Sequence, residues 1–335
     1  MTSPAVVRRL RLRAQRLSGA RPADPAEAVR SIVGVQAQDR NAAFLAVRAR
    51  ASGVSAETVE HALGGDHTLV RTWAMRGTLH LLDAADLPLA LAVFAPLHLK
   101  RGERRLTQLG LPPAEAERST ALAAEILRDE GPLTRHELAE RLRARGVPVE
   151  PKGQAPIHVV HRAALAGVLG EVGVRGREEL YGPIDPGPLP DRDAAVAELA
   201  RRYGAAHAPA TAEDFASWSG LPAADVLRAW AEPQAPGDAG EGGVRLLPAF
   251  DEWLLGWASR ALILDPAHAK RPAPGGGILR PVAIADGRVF ATWRLDRAKR
   301  RVEIEPFGRV TKAVRAGVES EVAEIGAFLG LDLDV

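Results

Sequence analysis

Cysteine is absent from the 335-residue chain. That excludes disulfides, thiolate-bound zinc, iron–sulfur clusters and thiol nucleophiles together. No apolar run approaches the roughly 20 residues that a membrane-spanning helix requires, so a soluble protein is expected. Lysine is scarce, at five residues against 39 arginines. With abundant alanine, glycine and proline, that bias is what a GC-rich genome produces, although the planar arginine fork also suits phosphates and base edges. Net charge of one sign is missing too: 44 basic residues face 42 acidic ones, so total charge selects no partner. What remains is 46% hydrophobic and 26% charged, an ordinary globular balance that excludes disorder, collagen and coiled coil as global descriptions. The length fits two or three small domains of roughly 100–200 residues.

Positive charge is unevenly placed. Arg8, Arg9, Arg11, Arg13 and Arg16 form one group, Lys100, Arg101, Arg104 and Arg105 a second, and Arg294, Arg297, Lys299, Arg300 and Arg301 a third. Acidic residues gather instead in 115–130 and 185–198. A chain of near-zero net charge can still turn a basic face to a polyanion, although solvated helix faces explain most such runs. The first group reads as a helix and not as a transit peptide, because helix signals begin at once.

The middle of the chain has the plainest pattern. Residues 114–130 have helical periodicity and end at Gly131-Pro132; Thr134-x-x-Glu137 is a capping box opening a helix that Gly146 closes. A helix at 157–169 and a glycine-turned hairpin at 170–181 complete a winged-helix plan. It recurs at 191–206, in a helix capped by Thr211 and Asp214, and at 223–230, with strands beginning at 244–250 and a flexible loop at 233–243. A looser version has helices at 25–38, 40–51 and 55–63 and a hairpin of 69–73 with 78–82. Farther on, strands at 278–285 and 288–294 flank Asp286-Gly287, a strong hairpin signal, followed by a strand at 301–307 and a helix at 311–329. The expected fold class is α+β: three tandem winged helices plus a strand-rich C-terminal region. Expected domains are 1–113, 114–185, 190–250 and 251–335.

Familiar catalytic motifs are missing. Gly275–Gly277 lacks the lysine and helix of a phosphate loop. His158 and His161 lack an acidic third ligand and read as a packed or solvated pair; no metal is expected. Asp251-Glu252 could serve acid–base chemistry, but one capping a turn and the other facing solvent is the better expectation. Gln36 extends the apolar spacing of Val29, Ile32 and Val33, so its amide must find partners or line a polar cleft. Gln38 shares that cleft only if the helix ends or bends; otherwise both amides tie off a helix end.

These residues also carry a family likeness. Gly34-Val35-Gln36-Ala37-Gln38 and Val70-Arg71-Thr72-Trp73-Ala74-Met75-Arg76-Gly77-Thr78-Leu79-His80-Leu81 resemble the winged-helix DNA glycosylases of the AlkZ/YcaQ type. So do Ala216-Ser217-Trp218-Ser219-Gly220-Leu221, Leu247-Pro248-Ala249-Phe250-Asp251-Glu252, Asp286-Gly287-Arg288 and Thr292-Trp293-Arg294. The resemblance implies a C-shaped DNA-binding cleft. It also implies catalysis by a Gln-apolar-Gln signature, here Gln36 and Gln38, as in the AlkZ-like branch. That branch removes bulky N7-guanine or N3-adenine adducts, some members unhook interstrand crosslinks, and it is associated with self-resistance to genotoxic natural products.

An amide cannot titrate, so neither glutamine is a general base. An N7-alkylguanine is already cationic, however, and leaves without a general acid. What the enzyme must then supply is a placed water and stabilisation of an oxocarbenium-like sugar. Gln36 and Gln38 are expected to hold that water, with Asp39 a secondary electrostatic partner. Arg71 and Arg76 in the first wing and Arg288 and Arg294 in the C-terminal hairpin are expected DNA contacts; His80 is either a contact or a packed imidazole. Trp73 and Trp293 are expected in the core. The expectation is therefore a monofunctional DNA glycosylase, a monomer without cofactor or metal, acting on double-stranded DNA in a bacterial cytoplasm at the nucleoid. Its rivals are a winged-helix transcriptional regulator, usually dimeric, and a protein that sequesters the genotoxin.

Overall fold

Side-chain caps and positive-φ turns set most element boundaries in the computed structural model, which describes residues 3–232 and 239–335. The chain begins with α1 (Pro4–Ala14), α2 (Pro25–Ser31), a two-residue strand β1 (Val35–Gln36), α3 (Arg40–Arg50) and α4 (Ala56–Gly64). Ser3, Asp24 and Asp39 cap α1, α2 and α3 by accepting from the backbone N–H groups of Val6, Ala26 and Ala42. Then follow β2 (Leu69–Trp73), β3 (Leu79–Asp83), α5 (Leu87–Gln108), α6 (Pro113–Glu130), β4 (Leu133–Thr134) and α7 (Arg135–Ala144). Next come α8 (Ala155–Leu165), β5 (Leu169–Arg175), β6 (Glu178–Pro183) and α9 (Arg192–His207). The last elements are α10 (Ala212–Ser219), α11 (Ala223–Ala229), β7 (Val244–Leu247), α12 (Glu252–Leu255), β8 (Val282–Ala285), β9 (Arg288–Asp296), β10 (Arg301–Pro306) and α13 (Lys312–Leu329).

The chain divides into two compact units, Met1–Val59 with Ala197–Val335, and Glu60–Val196. In the second, β3, β2, β5, β6 and β4 pair antiparallel in that order. Helices α6, α7 and α8 pack around Ile126, Leu127, Leu138, Leu142, Val159, Val160 and Leu169. Each such fully buried Leu or Ile contributes about 1.5–3 kcal/mol. The Thr134–Glu137 capping box is formed in both directions and starts α7. In the first unit β10, β9, β8 and β7 make an antiparallel meander. Strands and α13 enclose Leu246, Ala291, Trp293, Val302, Val322 and Ile325. The β8–β9 turn places Asp286 at φ 48 and Gly287 at φ 76, the doubly positive geometry that a tight two-residue hairpin selects.

Two segments depart from expectation, and a third element, α5, lies where the sequence pattern predicts none. Helix α2 stops at Ser31 instead of continuing to residue 38, because Val33 (φ 67) and Gly34 (φ 112) swing the backbone out of helical space. Strand β8 begins at Val282 and not at residue 278, immediately after Pro281, which has no N–H for a ladder. Helix α5 spans 22 residues with Pro96 inside it and carries Lys100, Arg101, Arg104 and Arg105 toward its C-terminal end. Of the expected loop at 233–243, residues 233–238 lie outside the described residues. Among the described residues no helix is long and apolar enough to cross a membrane.

Candidate functional site

Because α2 ends early, Gln36 lies on an extended backbone and not on a helical stripe. The strand ends at Gln36, and the chain bends at Gln38. Gln36 and Gln38 meet: Gln36 Nε2 donates to Gln38 Oε1 at 2.9 Å. Gln36 is 5% exposed, whereas Gln38 is exposed. Ala37 between them is buried and anchors the segment to the core. Asp39 ends the segment as the cap of α3, its carboxylate accepting from Ala42 N at 3.0 Å. Its role in the structure is thus to start a helix.

Asp251 and Glu252 are both fully buried, which corrects the expectation that one would face solvent. Asp251 caps α12, accepting from Trp253 N at 2.8 Å. It also receives both prongs of the Arg50 guanidinium, each at 2.8 Å. Glu252 Oε1 accepts from the backbone N–H of Gln36 at 3.2 Å, and Oε2 from the indole Nε1 of Trp218 at 2.9 Å. Trp218 is carried by α10, whose start is fixed by the Thr211–Asp214 capping box and whose end is turned by left-handed Gly220. The rings of Tyr203, His207 and Phe215 lie against the Trp218 indole, and Trp230 stacks on Phe215 behind them. Sequence reasoning met Glu252 in a matching motif but had no signal for its burial, since its partners lie 34 and 216 residues away.

The expected DNA contacts separate into two kinds. Arg71 is 4% exposed and pairs with Glu171 and, at 2.6 Å, with Glu179. Burial opposes its charge, but the two carboxylates outweigh that effect and raise its pKa. Glu179 is held below the usual carboxylate range: burial acts against its charge, but Arg71 and the Tyr181 hydroxyl overcome it. Arg71 is therefore an internal ion-pair partner and not a surface cation. His80 is fully buried, with Nδ1 donating to the Thr78 carbonyl at 2.9 Å. Burial, with Arg76 adding to it, lowers its pKa to about 3. It is a packed neutral imidazole. Arg76 is half-buried at φ 56 in the turn between β2 and β3.

Arg288 and Arg294 are exposed on β9, near Asp265 at 3.4 Å and Glu303 at 2.7 Å respectively. Arg288 also lines a cavity of about 480 Å³ with His268, Phe307 and Arg309. Trp293 fills the core and donates to the Leu247 carbonyl at 2.7 Å. Trp73 packs against the second unit's core and meets His161 edge-on. Burial, with help from His98 and His158, brings His161 down to about 4. Among the described residues no group of three or more His, Cys, Asp or Glu is placed to hold a metal ion.

Comparison with known proteins shows the family. A family model for AlkZ-like DNA glycosylases matches residues 29–328. A curated relative from Streptomyces sahachiroi, described as an interstrand DNA cross-link repair glycosylase, is 30% identical over 347 aligned positions, with 91% of each chain covered. The solved structure of Streptomyces sahachiroi DNA glycosylase AlkZ superposes with a TM-score of 0.83 at 26% identity, over the whole of both chains.

Proposed function

The chain belongs to the AlkZ-like DNA glycosylase family, and from that premise we propose that it removes bulky alkylated purines from duplex DNA by direct hydrolysis. The substrates are N7-alkylguanine and N3-alkyladenine adducts, with interstrand crosslinks of the same chemistry included. The organism gains resistance to its own genotoxic product. The observation that carries this reading is the hydrogen bond between the side chains of Gln36 and Gln38.

Two amides cannot take a proton near neutrality, but they can accept from and donate to a water, as a glutamine does in GTPases. When the bond between C1′ and N9 of an N7-alkylguanine breaks, its electron pair neutralises the cationic base. The resulting oxocarbenium-like sugar accepts the water oriented by Gln36 and Gln38, and the proton passes to solvent. The scheme forms no covalent bond between enzyme and DNA, which makes the proposed enzyme monofunctional. Gln36 and Gln38 are the catalytic residues in this scheme.

The architecture that serves this reaction is three winged helices and a strand-rich C-terminal part, divided at 1–113, 114–185, 190–250 and 251–335, forming a C-shaped DNA cleft in a monomer that works at the nucleoid. Arg76, Arg288 and Arg294, together with the α5 group Lys100, Arg101 and Arg104, supply phosphate contacts. Those three α5 cations are exposed and form no ion pair among the described residues. Exposed Arg118, Arg141 and Arg145 pair instead with Glu115, Glu130 and Glu125.

The test is release of base from a duplex carrying one N7-alkylguanine, with alkaline cleavage of the abasic product, beside Gln36→Ala/Gln38→Ala protein. Release by the wild type alone supports the reading. Binding of intact duplex without any release makes the chain a regulator instead, and capture of free alkylating agent without release makes it a sequestering protein.

A further inference from the structure

A buried backbone N–H must be paired, and how it is paired determines where its residue sits. Gln36 is almost wholly enclosed, on a strand of two residues that two positive-φ residues deliver from α2. So short a strand has little rigidity of its own. Its N–H is met by a side chain from 216 positions away, Glu252 Oε1 at 3.2 Å. That carboxylate is fully buried and is itself fixed from two directions: Trp218 Nε1 donates to its other oxygen at 2.9 Å, and the preceding residue, Asp251, is locked in the two-pronged bond to Arg50. Arg50 ends α3, the helix that Asp39 starts immediately after the glutamines. Asp251 thus grips the far end of the helix that follows the motif, while Glu252 grips the motif itself.

We infer that Glu252 is a positioning residue for the glutamine pair, an inference that rests on the hydrolytic role proposed above. Its bond fixes the backbone at Gln36, and the bond from Gln36 Nε2 to Gln38 Oε1 carries that placement to Gln38. Misplacing a water-orienting group by a fraction of an ångström is costly to rate, while the binding of duplex is untouched. A carboxylate suits this position because both of its oxygens accept, and the Gln36 backbone and the Trp218 indole each bring an N–H donor. An amide offers one acceptor and turns an NH₂ group toward the other donor.

That difference supplies the experiment. Single-turnover base release from an N7-alkylguanine duplex is measured for wild type, Glu252→Gln, Trp218→Phe and the double variant, with undamaged-duplex affinity and thermal unfolding alongside. Glu252→Gln is expected to lower the single-turnover rate at least about tenfold, since a buried donor is left facing an NH₂ group, with affinity within about twofold of wild type. Adding Trp218→Phe removes the competing donor, so the amide oxygen can turn to Gln36 and most of the rate returns. Wild-type rate in Glu252→Gln overturns the inference. So does an equal loss in the single and double variants, which would mean that the negative charge itself acts. Should the variants not fold, amide hydrogen exchange of the wild type decides: a Gln36 N–H protected well beyond Gln38 supports the bond, and equal fast exchange overturns it. Absence of base release by wild type overturns the hydrolytic reading and this role together, whereas release that depends on Gln36 and Gln38 but not on Glu252 overturns this role alone.

Discussion

The segment of Gln36 and Gln38 and the hairpin of Arg71 and His80 are both short and rich in polar side chains, and their polar groups are used in opposite ways. In the segment, the backbone N–H of Gln36 is taken by Glu252, and the two side-chain amides bond one another. In the hairpin, the polar side chains themselves are buried: Arg71 is held by Glu171 and Glu179, and His80 by the Thr78 carbonyl. A buried cation surrounded by carboxylates cannot also meet a phosphate. Residue type alone therefore does not separate a reactive position from a structural one; the partner of each polar atom does.

The sharpest way to break this comparison is to truncate both sides. Gln36→Ala and Gln38→Ala should each reduce base release by about 10²–10³ while duplex binding and unfolding temperature stay near wild type, if oriented amides contribute as much as a single catalytic hydrogen-bond donor does. Arg71→Ala should do the reverse. Leaving Glu171 buried without its cation costs about 3–5 kcal/mol, read as a lower unfolding temperature at about 2–4 °C per kcal/mol. A soluble, normally stable Arg71→Ala protein with weakened DNA binding would restore Arg71 to the DNA surface.

Acid should discriminate between the two regions next. His80 and His161 are pressed to about 3 and about 4, first by burial and then by neighbouring basic side chains. In the unfolded chain they titrate near 6.5. Between those values the unfolded state binds more protons, so the stability these imidazoles provide is complete above about pH 6.5 and declines as pH falls toward 4 and then 3. Thermal unfolding across that range should show the decline, and His161→Phe, which keeps a ring beside Trp73, should make it shallower. The single-turnover rate of the folded enzyme should vary little over the neutral range, because the glutamines do not titrate.

The smallest effects belong to the surface cations. Replacing Lys100, Arg101 and Arg104 with glutamine should weaken undamaged-duplex binding and flatten its salt dependence, by about 0.9 in log–log slope for each phosphate no longer neutralised. Arg288→Gln and Arg294→Gln, where nearby acids already offset the charge, should each change it less. An unchanged slope in the triple variant would remove α5 from the DNA surface.

Much of the architecture could be read from residues because its causes are local. Thr134 with Glu137, Thr211 with Asp214, and Asp286 with Gly287 each lie within a few positions of the group they satisfy, and all three form as expected. The early end of α2 could not be read, because Val29, Ile32 and Val33 keep helical spacing while the positive φ falls on Val33, a residue type that seldom adopts it. Helix α5 is obscured by its internal Pro96. The glutamine pair was legible through family likeness; the enclosure of Glu252 and of Arg71 was not, since each is buried by partners distant along the chain.

The 216-residue span between Gln36 and Glu252 also orders events during synthesis. A ribosome extends the chain from its N-terminus, so the glutamines emerge long before the carboxylate that fastens them. Pairings of such sequence separation close late and slowly. A nascent or truncated polypeptide ending before α12 has both glutamines but not the carboxylate that meets Gln36, and that bond can close only once translation is in its final quarter.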